Sequence, residues 1–489
     1  MTFARTTRYL VASALVLTLV PQSALTAATT TAAASISAKD KADGAKANPE
    51  LTAAYGGAIR GAQADYVASI GKKVAVQSGM SNSSNDFTVT LLNSSINNAF
   101  AIPGGYIYTT RQLVALMNNE AELGGVLGHE AAHVALRHSN SRQSAATKNQ
   151  IFGVIGSVLS GVLLGNSQVG QILQQGFQQG SQLLTLKFSR TQESEADTYG
   201  IRYLSRAGYD PRAMGTVLQS LANQNALDAR MMGTSDQVPA WASTHPDPAS
   251  RVRSALSQAG SSPRGVTNRD IFLSRINGLV YGDSAEQGFV EGRTFRHPIE
   301  RIAFDAPSGF YLVNGTQAVA ITGQGGKGQF TTAAFDGNLD NYVTNVFNAF
   351  GQSNKAQLSP GEVQSTTVNG IPAAYSTARV NSGNGQVDVT VFAYKWDASH
   401  AYHFMTITQA GQQPFNDMFG SVRRLTNAQA AALKSRRLQV LTVKSGDTVQ
   451  TMASRMAYSD AAMERFLVLN GLSAGARLTP GQKVKVVTY

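Results

Sequence analysis

The spacing of apolar positions changes several times along the chain, and each change marks an element. From Ala58, the residues Ile59, Ala62, Tyr66, Ile70 and Val74 recur at helical spacing. "FTVTLLNSS" (87–95) reads as a strand, and "NAFAIPGGYIYTT" (98–110) as an edge hairpin turning at Pro103-Gly104-Gly105. A helix follows through "NEAELGGVLGHEAAHVALRH", with Asn119 as its N-cap. A second strong helix runs from Ser189 to Arg206; Gly208 stops it, and Asp210-Pro211 begin the next. Between these helices, Ile151 to Gly165 is the most apolar stretch after the N-terminus. It is short for a membrane span and interrupted by glycines, so a buried helical hairpin is expected, with a membrane-dipping or substrate-gating segment as the alternative.

After "SQAGSSPRGVTN" (257–268) the pattern shifts. Residues 293–424 mix alternating segments such as "QVDVTVFAYKW" and "AYHFMTITQ" with amphipathic ones such as "DNYVTNVFNAF". A charged, Ala-rich connector, "TNAQAAALKSRR", leads to a compact segment from Leu438. The expected fold class is α+β and multidomain. A signal peptide occupies 1–27 and a flexible Ala/Thr/Lys-rich linker 28–50, followed by a mainly helical domain with a small β-hairpin or sheet at 51–260. An α+β domain spans 270–425 and a small module 438–489.

Length agrees, since 489 residues exceed one ordinary core. At the N-terminus Arg5 and Arg8 precede the apolar run Leu10 to Val20, with small residues around Ala24 to Ala28. This is the pattern of a cleaved secretory signal, so the expected location is the periplasm. The chain has no cysteine, which excludes disulfides and leaves any metal to His and carboxylate ligands. The net charge of +11 comes without a Lys/Arg stripe interleaved with aromatics, which argues against nucleic acid. Attraction to anionic envelope surfaces is the simpler use, and it leaves peripheral membrane contact open.

The candidate chemistry begins at "LGHEAAHVALRH", which sets His129 and His133 four residues apart with Glu130 after the first. On a helix both imidazoles share one face and can reach one ion, with Glu130 beside them to take a proton from a water held there. Apolar Leu127, Val134 and Leu136 argue that this helix is buried. A third protein ligand is required, and "SRTQESEADTYG" is the best source. Glu193 and Asp197 again share a face: one carboxylate can bind the ion while the other orients a ligand histidine. Glu195 points elsewhere. The later histidines His297, His400 and His403 are scattered and read as structural or surface residues.

"NAFAIPGGYIY", "LGHEAAHVALRH" and "SRTQESEADTYG", in this order, resemble metallopeptidase family 48, the HtpX-like and BepA-like gluzincin zinc metallopeptidases. The resemblance covers about residues 50–260. It implies a zincin-type catalytic domain holding one Zn2+ per chain through His129, His133 and Glu193, with Glu130 as general base. Asp197 matches the family's second acidic position, which serves either as a proton donor or to orient a histidine, and orientation is the favoured role. Pro103, Gly104 and Gly105 would belong to an edge that receives extended substrate by β-addition. "STHPDPASRV" matches a downstream family motif. There His245 would either plug the open position at the metal or donate to the oxyanion, and Arg251 would anchor the loop. Pro246 and Pro248 stiffen the segment, which favours the positioned donor.

Residues 438–489 resemble a LysM module of strand–helix–helix–strand (βααβ) form, on the markers Val443 to Thr448, Asn470-Gly471-Leu472 and Gly481 to Val484. Such modules bind N-acetylglucosamine glycans, so the resemblance implies peptidoglycan as a partner, with a purely docking role as the other reading. The expected function is an exported metalloendopeptidase acting on misfolded or immature proteins of the cell envelope. An assembly scaffold tethered to peptidoglycan and a zinc-dependent peptidoglycan hydrolase are the alternatives. Removing 438–489 is expected to leave proteolysis intact.

Overall fold

The computed structural model describes residues 35–138, 188–232, 245, 248–260, 265–354, 358–382 and 385–489. The signal-like segment 1–27, the apolar stretch Ile151–Gly165 and Pro246 lie outside the described residues. Among the described residues no helix is long and apolar enough to cross a membrane.

The first element corrects an expectation. Residues 28–50 read as a flexible linker, yet helix α1 (Ala38–Ala54) begins inside that stretch. Ser37 and Asp40 form a reciprocal capping box at its start, and an Ala-rich sequence propagates the helix readily. Ala47, Leu51 and Ala54 are buried with Ile102 and Tyr108 of a small sheet, contacts that a linker would lack. Helix α2 (Ala62–Ala75) follows, and then strands β1 (Thr88–Leu92), β2 (Ala99–Ile102) and β3 (Tyr106–Thr110). Their order is β1-β3-β2, with β3 parallel to β1 and antiparallel to β2, so β2 forms an edge.

Among the described residues the region continues with helices α3 (Arg111–Leu116), α4 (Glu120–Ala135), α5 (Arg190–Arg206), α6 (Ala213–Met232) and α7 (Pro248–Ala259). The Asn119 side chain caps α4 by accepting from Glu122 N at 2.9 Å. Ser189 and Gln192 form a capping box on α5, and Gly208, at φ 83°, lies just beyond its end. A single apolar core joins α2, α4, α5 and α6 through Val74, Leu127, Leu204 and Val217. Almost all of α4 is buried, so its polar residues must find partners inside the protein.

The stretch expected as α+β has two sheets. A seven-stranded antiparallel sheet carries the helix Leu339–Asn354 against one face, where Tyr342, Val343 and Phe347 meet Val389, Val391 and Met405. A four-stranded sheet packs on the other face around Phe295, Phe304, Phe330 and Phe404. At the C-terminus, strands Arg436–Thr442 and Lys483–Thr488 flank helices Val449–Ala453 and Ala462–Leu469. The sheet there gains a third strand, Val280–Tyr281, from upstream.

Candidate active site

Helices α4 and α5 cross at small residues. A Cβ on Gly200 would lie 3.1 Å from His129 N, and one on Gly128 would lie 3.4 Å from Gly200 O. This close approach brings the first turn of α5 over the last turns of α4. His129 Nε2 and His133 Nε2 are 3.0 Å apart, and the Glu193 carboxylate lies 3.6 Å from the first and 3.4 Å from the second. Around a zinc with arms of roughly 2.0–2.1 Å, tetrahedral geometry sets ligand atoms about 3.3 Å apart. The three donors therefore fit one ion.

Tautomers fit as well. Asp197 Oδ1 lies 3.0 Å from His129 Nδ1, which places the ring proton there and turns the Nε2 lone pair toward the cluster. Arg251, on α7, holds both acidic residues: its Nε and Nη2 donate to Asp197 at 2.8 and 2.5 Å, and its Nη1 pairs with Glu193. Burial works against charge on both carboxyls. For Glu193 it is outweighed by His245, His133 and His129, and for Asp197 by Arg251 and His129, so both are held below the ordinary range. Burial also keeps His133 neutral, as a metal ligand must be. Burial pushes the Glu130 carboxyl up, only partly countered by His245 and His129, in the direction a general base at neutral pH requires.

His245 joins the cluster directly. Its Nδ1 is 3.0 Å from Glu193 Oε1 and 3.3 Å from His129 Nε2, and its Nε2 is 3.5 Å from Glu130 Oε1. Ligand atoms of His129, His133, Glu193 and His245 all lie within 4.8 Å of one another. Pro248, expected to stiffen a loop, is the first residue of α7.

The Pro103-Gly104-Gly105 turn stands apart from this cluster. Both glycines have positive φ, and a Cβ on them would strike Asp40 O at 2.4 Å and Asp86 O at 2.3 Å. Both glycines are buried, Gly104 against the start of α1, and the neighbouring strand β2 lies at the end of the sheet order.

Sequence reasoning passed over His138 and set Glu195 aside. His138 Nδ1 is 2.9 Å from His133 Nδ1, and its Nε2 is 3.1 Å from Glu195 Oε2. Phe188 stacks on the His133 ring at 3.7 Å. The signal for His138 was present in the quoted motif, but helical spacing does not reach it because α4 ends at Ala135.

Residues 61–259 match the family described as peptidase family M48, and residues 441–487 match the LysM domain. The chain is 33% identical over 204 residues to a beta-barrel assembly-enhancing protease of Yersinia pestis, covering 40% of each chain. It is 30% identical over 229 residues to the protein of the same name in Escherichia coli K12, covering 45% of each. With the mitochondrial metalloendopeptidase OMA1 of Schizosaccharomyces pombe it shares 29% identity over 188 residues, covering 38% of this chain and 50% of that one. The matched stretch thus spans less than half the length of the two bacterial relatives.

Proposed function

For a chain that carries a peptidase family M48 domain and a LysM domain, we propose the function of a zinc-dependent metalloendopeptidase acting on proteins of the cell envelope. The observation that carries this reading is the convergence of His129, His133 and Glu193 at tetrahedral spacing beside Glu130. One zinc per chain would be held by those three residues. When bound, zinc supplies Lewis acidity that polarises the scissile carbonyl and acidifies a water. Glu130 takes the proton of the attacking water and passes it to the leaving amine. Asp197 and Arg251 hold His129 and Glu193 in place. Among the described residues, strand β2 pairs only with β3, and an extended peptide could add to its other edge.

His245 takes the fourth corner of the cluster and faces Glu130, so in this arrangement it stands where the water must enter. This geometry favours the plug over the oxyanion donor. Export to the periplasm is supported by the Arg5, Arg8 and Leu10–Val20 pattern. The LysM domain supports peptidoglycan as a partner, and misfolded or immature envelope proteins are the proposed substrates, in keeping with relatives named for enhancing β-barrel assembly.

The test is a Glu130→Gln variant. It should keep zinc and fold but lose hydrolysis of unfolded protein by at least ~100-fold, because an amide cannot accept the proton. Substrates retained on that variant would identify the clients. Turnover equal to the parent protein would refute the mechanism.

A further inference from the structure

Helix α4 does not simply stop. Arg137 adopts the left-handed conformation at φ 52°, Arg137 N donates to Val134 O at 3.0 Å, and His138 N donates to His133 O at 3.0 Å. This pair of bonds is the Schellman motif, which folds the second residue past the helix back over the residue five positions earlier. An apolar contact usually fills that position. Here it is an imidazole on an imidazole, with His138 Nδ1 2.9 Å from His133 Nδ1.

Resting on the reading of His133 as a metal ligand, we propose that His138 is a positioning residue that sets the His133 tautomer through a relay ending at Glu195. The proton logic has one solution. For His133 to offer Nε2 to an ion while neutral, its proton must sit on Nδ1 and be donated to His138 Nδ1. His138 must then carry its own proton on Nε2, which donates to the Glu195 carboxylate at 3.1 Å. Reversing either ring would put the proton on His133 Nε2 and remove its lone pair from the cluster. The two ligand histidines are thus held by different devices. His129 meets a buried carboxylate directly, whereas His133 is reached through a second ring by a carboxylate whose side chain is 54% exposed. Helix α5 ties the relay to itself: the Gln192 side chain donates from Nε2 to His138 O at 3.0 Å, and Glu195 lies on the same helix.

The experiment measures zinc affinity of the full-length protein by competition with a chelator, alongside thermal unfolding of the zinc-free protein. His138→Leu, which leaves the His133 N–H without an acceptor, should weaken zinc binding 10- to 100-fold. His138→Gln, whose side-chain carbonyl can accept that N–H, should restore most of the loss. A purely structural role would not distinguish the two variants in this way. Glu195→Ala, at the solvent end, should weaken zinc several-fold while the zinc-free protein unfolds at the parent temperature; this variant decides the matter if His138→Leu fails to fold. Folded His138→Leu or Glu195→Ala protein binding zinc within twofold of the parent overturns the proposal. A parent protein that binds no zinc overturns the underlying metal-site reading instead.

Discussion

At His245 two ring nitrogens meet two carboxylates, Glu193 at 3.0 Å and Glu130 at 3.5 Å, in a fully buried setting. On the proposed reading, a residue so placed blocks both the fourth corner and the base. His245→Ala should therefore raise basal proteolysis several-fold while zinc content stays at the parent's level, measured with an unfolded-protein substrate and metal analysis of the same sample. A fall in kcat at unchanged zinc would instead mark an oxyanion donor, whose loss costs roughly 100- to 1,000-fold. The legibility of the site follows from how each residue is reached. His129, Glu130, His133, Glu193 and Asp197 lie on two regular helices, where spacing alone shows who shares a face. His138 and Glu195 come together only because Arg137 takes a left-handed turn, and nothing in an arginine announces one.

The pairing of α4 with α5 rests on a contact that hydrophobic periodicity does not encode. A Cβ on Gly200 would meet Met214 Cε at 2.8 Å and His129 N and Cα at 3.1 and 3.2 Å, against backbone that cannot swing aside. Gly200→Ala must separate the helices by a few tenths of an ångström, at a cost of about 1–3 kcal/mol in stability. The displacement also carries Glu193 away from the histidines on α4. Zinc affinity is expected to fall about tenfold or more, with a matching loss in urea stability. Unchanged affinity in a folded variant would show that the crossing does not set the ligand geometry. The individual helices were readable from caps and period, since Asn119, Ser189 and Gly208 mark their ends. Helix α1 was not, because Ala/Thr/Lys richness and Pro49 look alike in a linker and in a well-capped helix. What decides between them is burial of Ala47, Leu51 and Ala54 against a sheet formed fifty residues later.

Across the whole molecule, the LysM domain is bound into the peptidase region rather than hung from it. Leu438 belongs to the apolar core that also contains Leu127 and Val217, and Arg436 and Arg437 pair with Tyr281 and Val280. Lys485 is fully buried, and its Nζ donates to Ala115 O, Leu116 O and Met117 O at 2.8, 3.1 and 2.6 Å, capping the end of α3. Burial lowers the Lys485 ammonium strongly, opposed by Glu122, which itself accepts from Asn118 N and Thr216 Oγ1 in the first turn of α4. The C-terminal strand thus touches the junction from which the His129–His133 helix begins. In sequence, Lys483-Val484-Lys485-Val486 alternates as a half-exposed strand should, so Lys485 reads as solvent-facing; the face it occupies is covered by another part of the chain. The separable-module expectation therefore gives way. Deleting residues 438–489 should expose part of the peptidase core and abolish proteolysis together with cooperative unfolding, and Lys485→Met alone should cost roughly 1–3 kcal/mol by leaving the buried carbonyls of Ala115, Leu116 and Met117 without their donor. Both are measured by urea unfolding beside casein hydrolysis. Parent-level turnover in the truncated protein would show that the C-terminal domain only docks on the surface.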